Sequence, residues 1–98
     1  MIIKEIFAKL ETAINPVAQA LHSGEHFKTL IIGFKKGMIL KEHRAHLPSK
    51  FFVLQGKVIY KQNQVSTTLE LYDNIDIPVE IIHSVEALED SLCVLTQG

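Results

Sequence analysis

The chain has 98 residues, 47% of them hydrophobic, with a formal net charge of −1 and a single cysteine. That length makes one domain, residues 1–98, and excludes a second core. Acidic and basic residues are interleaved, with no basic face of the kind nucleic-acid binders carry, and no apolar run approaches the length of a membrane span.

In chain order, residues 3–14 alone show helical spacing: Ile3, Phe7, Leu10 and Ile14 recur at three- and four-residue steps. Pro16 ends that segment, so residues 1–16 read as a short helical or irregular N-terminal arm. No apolar signal-peptide core is present in "MIIKEIFAKLE" and the one cysteine cannot pair within the chain, so a reduced, cytoplasmic setting is the expectation.

From Val17 the pattern turns to strands, and residues 17–98 read as a β-barrel. "VAQALHS" (17–23) stops at a Ser-Gly turn, and "FKTLIIGF" (27–34) stops at "KKG". "MILKEH" (38–43) leads into "RAHLPS", broken by Pro48. "FFVLQ" (51–55) and "KVIYKQ" (57–62) flank Gly56, which suits a tight connection. Asn63-Gln64 is a hairpin turn before "VSTTLEL" (65–71), and "YDN" is another turn. Pro78 interrupts "IDIPVEIIHSVEAL", and "SLCVLT" (91–96) is the last strand, with Cys93 as a buried, unreactive thiol.

Seven or more short strands without long helices define an all-β sandwich or barrel. Several strands are apolar on both faces: in "KFFVLQ", Phe51 and Val53 face one way, Phe52 and Leu54 the other. One face fills the barrel, and the other needs a cover. The expected cover is a second copy, giving a homodimer packed through its sheets.

Two spacings concern the histidines. Gly37, five residues, His43 and a later Gly56 form one; Asp73, Pro78 and His83 form the other. Both resemble the paired motifs of the cupin superfamily, specifically its small, single-domain, RmlC-like members, over residues 27–96. The resemblance implies a double-stranded β-helix, or jelly-roll barrel, and a metal site built from His-x-His, a glutamate and a distant histidine. His43 and His83 occupy ligand positions of that pattern. Ala45 stands at the second histidine, Ser49 at the glutamate, Tyr72 and Glu80 at the two glycines of the second motif, and Ala87 at its asparagine.

His46 lies one residue beyond the expected position and reaches the same face as His43 only through irregular backbone. Glu42 points away from His43 on a regular strand. One reading is a three-histidine centre of His43, His46 and His83 for a divalent transition metal (Fe, Mn, Ni, Cu or Zn). The other is that His43 and His83 line the barrel mouth without metal while His46 is solvated. The corresponding functions are binding of a small molecule at His43 and His83, or a metal-dependent enzyme of dioxygenase or isomerase type. His22 and His26 read as solvated loop residues, Lys50 as an exposed edge lysine, and Tyr60 and Tyr72 as sheet-edge residues. Ser49 lacks a nucleophile-elbow context.

Overall fold

The computed structural model describes residues 1–98. One helix, α1 (Ile2–Leu10), precedes nine strands: β1 (Val17–Ser23), β2 (Lys28–Phe34), β3 (Ile39–His43), β4 (Ser49–Gln55), β5 (Val58–Gln62), β6 (Val65–Leu69), β7 (Asn74–Ile77), β8 (His83–Ala87) and β9 (Ser91–Gln97). Helix α1 is not long and apolar enough to cross a membrane.

The strands form two antiparallel sheets, β1-β2-β9-β4-β7 and β3-β8-β5-β6. Their facing sides meet in one core that includes Ile32, Phe34, Phe51, Val53, Tyr60 and Val85. Period-two alternation explains the sorting: Phe51 and Val53 point inward with Cys93 and Leu95, while Phe52 pairs with Val94 on the outer side. Burial pushes the Cys93 thiol up to about 12, so the thiolate that would react is absent at neutral pH.

The turns follow local chemistry. Pro48 stops one segment and β4 starts at the next residue. Asn63 and Gln64, at φ +51° and +64°, make the two-residue β5–β6 hairpin, whose twist requires left-handed residues at both positions. Pro78 separates β7 from β8, consistent with a missing N–H donor.

Part of the outer side of the larger sheet is covered by α1, which packs mainly on β1 and β2. Ile6 and Leu10 pack there on Ile31 and Leu92, with Val94 and Leu54 beside them. Gly33 makes the approach possible, since a Cβ at that position would lie 2.8 Å from Leu10 Cδ1. The expected apolar stripe is therefore displaced. Ile2, Ile6 and Leu10, four apart, face the sheet, whereas Ile3 and Phe7 are 39% and 44% exposed. The helix stops at Leu10, so Ile14 lies beyond it and is solvated. Part of the face assigned to a second copy is thus in contact with the chain's own N-terminal helix.

Two non-glycine residues stand in left-handed backbone where the second motif has glycine: Tyr72 at φ +70° and Glu80 at φ +65°. Tyr72 is held there because its N–H donates to Val53 O (2.9 Å) while Val53 N–H donates to Asp73 O (2.9 Å). Its side chain is mostly exposed, so little packing offsets the backbone cost. Replacing Tyr72 with Gly should therefore stabilise the fold by about 1 kcal/mol, raising Tm by roughly 4–8 °C for a domain of this size. Thermal unfolding checks it, and a lower Tm for Y72G would mean that the ring makes contacts the backbone strain does not outweigh.

Candidate functional site

The strand register builds the site. Leu40 on β3 is opposite Val85 on β8, and His43 is opposite His83, so three steps on β3 match two on β8. The extra residue is a β-bulge. Without it, the residue opposite His83 would be Glu42. The bulge instead carries His43 round to its neighbour, and the two imidazole centroids lie 4.1 Å apart, edge to face at 61°. Irregular backbone was expected after His43, to re-aim His46. It occurs before His43 and re-aims His43 itself.

Each ring is oriented by a carbonyl two residues earlier. His43 Nδ1–H donates to Lys41 O (2.7 Å) and His83 Nδ1–H to Ile81 O (3.1 Å). Carbonyls only accept, so in the neutral form of each ring the proton sits on Nδ1 and Nε2 keeps its lone pair. Neither Nε2 has a protein partner, and the two rings differ in exposure: His83 is buried at 2% while His43 is half-buried. Behind His83 stacks Tyr60, at 5.7 Å and 24°, whose hydroxyl donates to Gln62 Oε1 (2.7 Å). Tyr60 is an interior residue rather than a sheet-edge one, because β5 lies between β8 and β6. Burial raises the Tyr60 pKa and holds the phenol protonated.

Burial also lowers the pKa of His83; the nearby His43 adds to the effect and the bond to Ile81 O opposes it. His83 is therefore neutral at pH 7. A base whose folded pKa lies below its unfolded value of about 6.5 takes up protons first in the unfolded chain. Its unfavourable contribution is absent above pH 6.5, grows as pH falls toward the folded pKa, and is constant below that. Stability should therefore drop through this acid window, and the drop should be smaller in His83→Gln. Denaturant melts of both proteins between pH 7.5 and 5 measure the difference. Parallel pH profiles would show that His83 is not the group responsible.

The other sequence candidates lie apart from the pair. His46 points outward, with Nδ1 2.7 Å from Glu80 Oε1, and its side chain is 83% exposed. Ala45, two residues after His43, takes the inward position and is buried in the core. Thus the expected cluster of His43, His46 and His83 is not assembled: His46, at an odd interval from His43, stays on the outer side. No group of three or more His, Cys, Asp or Glu side chains is placed to hold a metal ion. Ser49 Oγ, at the glutamate position, donates to Leu47 O (2.9 Å). The residues present supply two imidazole nitrogens and do not fit a centre with three protein ligands.

Lys50 is exposed, with Asp76 3.5 Å away. His26 lies in the β1–β2 connection and is solvated. His22 belongs to β1 rather than a loop, and its ring packs at 5.3 Å from Phe27. Beside His83 an open cleft of about 350 Å³ is lined by Glu42, Lys61, Gln62, Asn63, Gln64 and Ile82, among others; His43 does not line it and borders a separate cleft with Asn15 and Pro16.

Two facing antiparallel sheets with a histidine pair spanning β3 and β8 define a double-sheet jelly roll with a candidate site at one end. Solved structures specify it further. A cupin superfamily protein from Desulfitobacterium hafniense superposes with a TM-score of 0.80 at 17% identity, covering 94% of this chain and 86% of that one. An RmlC-like cupin from Desulfovibrio desulfuricans gives 0.77 at 22% identity, covering 84% and 80%. KdgF from Halomonas gives 0.77 at 18% identity, covering 87% and 81%. The chain is a small domain with the cupin fold. No family model and no curated protein matches it.

Proposed function

We propose that this domain is a binding module for a small hydroxylated molecule, held at the barrel mouth by His43 and His83. The observation that supports it is the pair of Nδ1–H donations to backbone carbonyls, which leaves the Nε2 of each of two neighbouring rings as an acceptor without a protein partner. A ligand suited to them donates two O–H or N–H groups a few ångströms apart. The neutral state of His83 keeps its Nε2 an acceptor at pH 7. The neighbouring cleft of about 350 Å³ is within the size range of small-molecule sites, and the amides of Gln62, Asn63 and Gln64 add donors and acceptors along it.

A thermal-shift screen of polyols, monosaccharides and hydroxy acids tests the reading. A ligand at about ten times its Kd adds about 1.4 kcal/mol, a rise of roughly 6–11 °C. His83→Phe, which keeps a ring against Tyr60 but removes the acceptor, should abolish the rise. A panel without a hit, or a hit that survives H83F, would overturn the proposal.

The alternative is a metal-dependent enzyme of dioxygenase or isomerase type, for which the ligand set would have to extend beyond His43 and His83. Metal analysis of protein prepared without a polyhistidine tag separates the two. The donor set leads us to expect less than about 0.1 equivalent of Fe, Mn, Ni, Cu or Zn, and a stoichiometric metal lost in H83F would favour the enzyme.

A further inference from the structure

A cleft of about 620 Å³ lies between the β1–β2 and β3–β4 connections. His83 does not line it. Its walls combine two kinds of side chain. The first is cationic. Arg44, the only arginine in the chain, and Lys28 both line the cleft, and neither lies within 4.0 Å of an acidic group. Lys35, Lys50, Lys57 and Lys61 each have a carboxylate partner and Lys4, Lys9, Lys36 and Lys41 have none within 4.0 Å, so it is shared placement in one cleft that marks Arg44 and Lys28. An arginine carries a planar fork of donors matched to a carboxylate, so an unpaired one in a concave site is an open binding element.

The second kind is apolar. Phe27 and Leu47, 44% and 47% exposed, line the same cleft. The acidic groups nearby do not neutralise the cations. Glu25 lines the cleft, and the basic side chain within 4.0 Å of it is His26, at 3.9 Å. Glu80 is taken up by His46 at 2.7 Å.

We infer that this cleft binds a small organic carboxylate, with its charged end on Arg44 and Lys28 and its apolar body against Phe27 and Leu47. The site is separate from the imidazole pair, so it stands or falls independently of the function proposed above.

Benzoate serves as the test ligand, with benzamide as its neutral counterpart and inorganic phosphate as an anion without an apolar body. Amide chemical shifts are followed in low-salt buffer on the full chain. Saturable shifts should appear at residues 24–28 and 44–47 with benzoate, with a Kd in the millimolar range or tighter. Benzamide and phosphate should each bind at least tenfold more weakly. Arg44→Gln, an exposed substitution whose folding is verified by its unchanged remaining spectrum, should weaken benzoate at least tenfold, and Lys28→Gln should weaken it less. Equal binding of benzoate and benzamide would remove the ionic half of the inference, and phosphate binding as tightly as benzoate would remove the apolar half. Shifts that do not saturate, or benzoate binding unchanged in R44Q, would overturn it altogether.

Discussion

Gly56→Ala should be among the most damaging single-atom additions to this chain, costing about 3 kcal/mol. Two separate causes combine. Gly56 joins β4 to β5 at φ +88°, a conformation that disfavours any Cβ by about 1 kcal/mol or more. In addition, an added Cβ would overlap Asp90 O and Ser91 Oγ and come within 2.8 Å of Ser91 Cα. Relief needs backbone movement, and overpacking of that kind costs about 1–3 kcal/mol. The β8–β9 connection cannot easily retreat. Ser91 Oγ accepts from Lys57 N–H at 3.1 Å and lies 2.8 Å from Glu89 O, and Leu88 N–H donates to Lys57 O at 2.9 Å. The expected fall in Tm is roughly 12–24 °C.

Gly37 provides the control. It has the same φ of +88°, but nothing lies within 4 Å of its would-be Cβ. Gly37→Ala should therefore cost only the backbone part, about 1 kcal/mol. Urea melts of the two variants isolate the steric part by difference. Equal losses would mean that the close approach of β4–β5 to Asp90 and Ser91 is not a feature of the folded protein.

Much of this architecture was legible because prolines and glycines punctuate the chain. Pro48, Gly56 and Pro78 mark where strands must begin or stop, whatever the tertiary context. What was not legible depended on a single residue of register. The β3 bulge has no composition of its own. Its trace is an odd interval, since Leu40 and His43 both face inward although a regular strand would put them on opposite sides. Treating the strand as regular up to His43 placed the irregularity after it and brought His46 into the candidate site. His46 instead bonds to Glu80, a partner 34 positions away that no local pattern predicts. Conversely, Tyr72 and Glu80 read as departures from glycine positions, yet the backbone there is still left-handed. The fold keeps the glycine conformation although the residues have changed.

Ile6→Asp should cost about 4 kcal/mol and release α1 from the sheet, while Phe7→Asp should cost less than about 0.5 kcal/mol. The comparison bears on the element that sequence periodicity oriented differently, since Phe7 belongs to the stripe read from the sequence and Ile6 does not. Ile6 is fully buried against Leu10, Ile31 and Leu92. A carboxylate there would lose the apolar contacts and also its hydration. The helix has an escape that barrel residues lack, because it can leave the sheet while both sheets remain paired. The cost is therefore bounded by the free energy of docking α1, and the lost helix should be visible by circular dichroism before the strands melt. Undocking would bare Ile31, Leu92, Val94 and Leu54 together, a patch that a soluble monomer does not leave wet. I6D should consequently bind a hydrophobic dye and self-associate, as followed by light scattering against the parent protein at equal concentration. A larger loss in F7D than in I6D would reverse the orientation of the helix. An I6D protein as stable as its parent would mean that something other than α1, a second copy among the candidates, covers that face in solution.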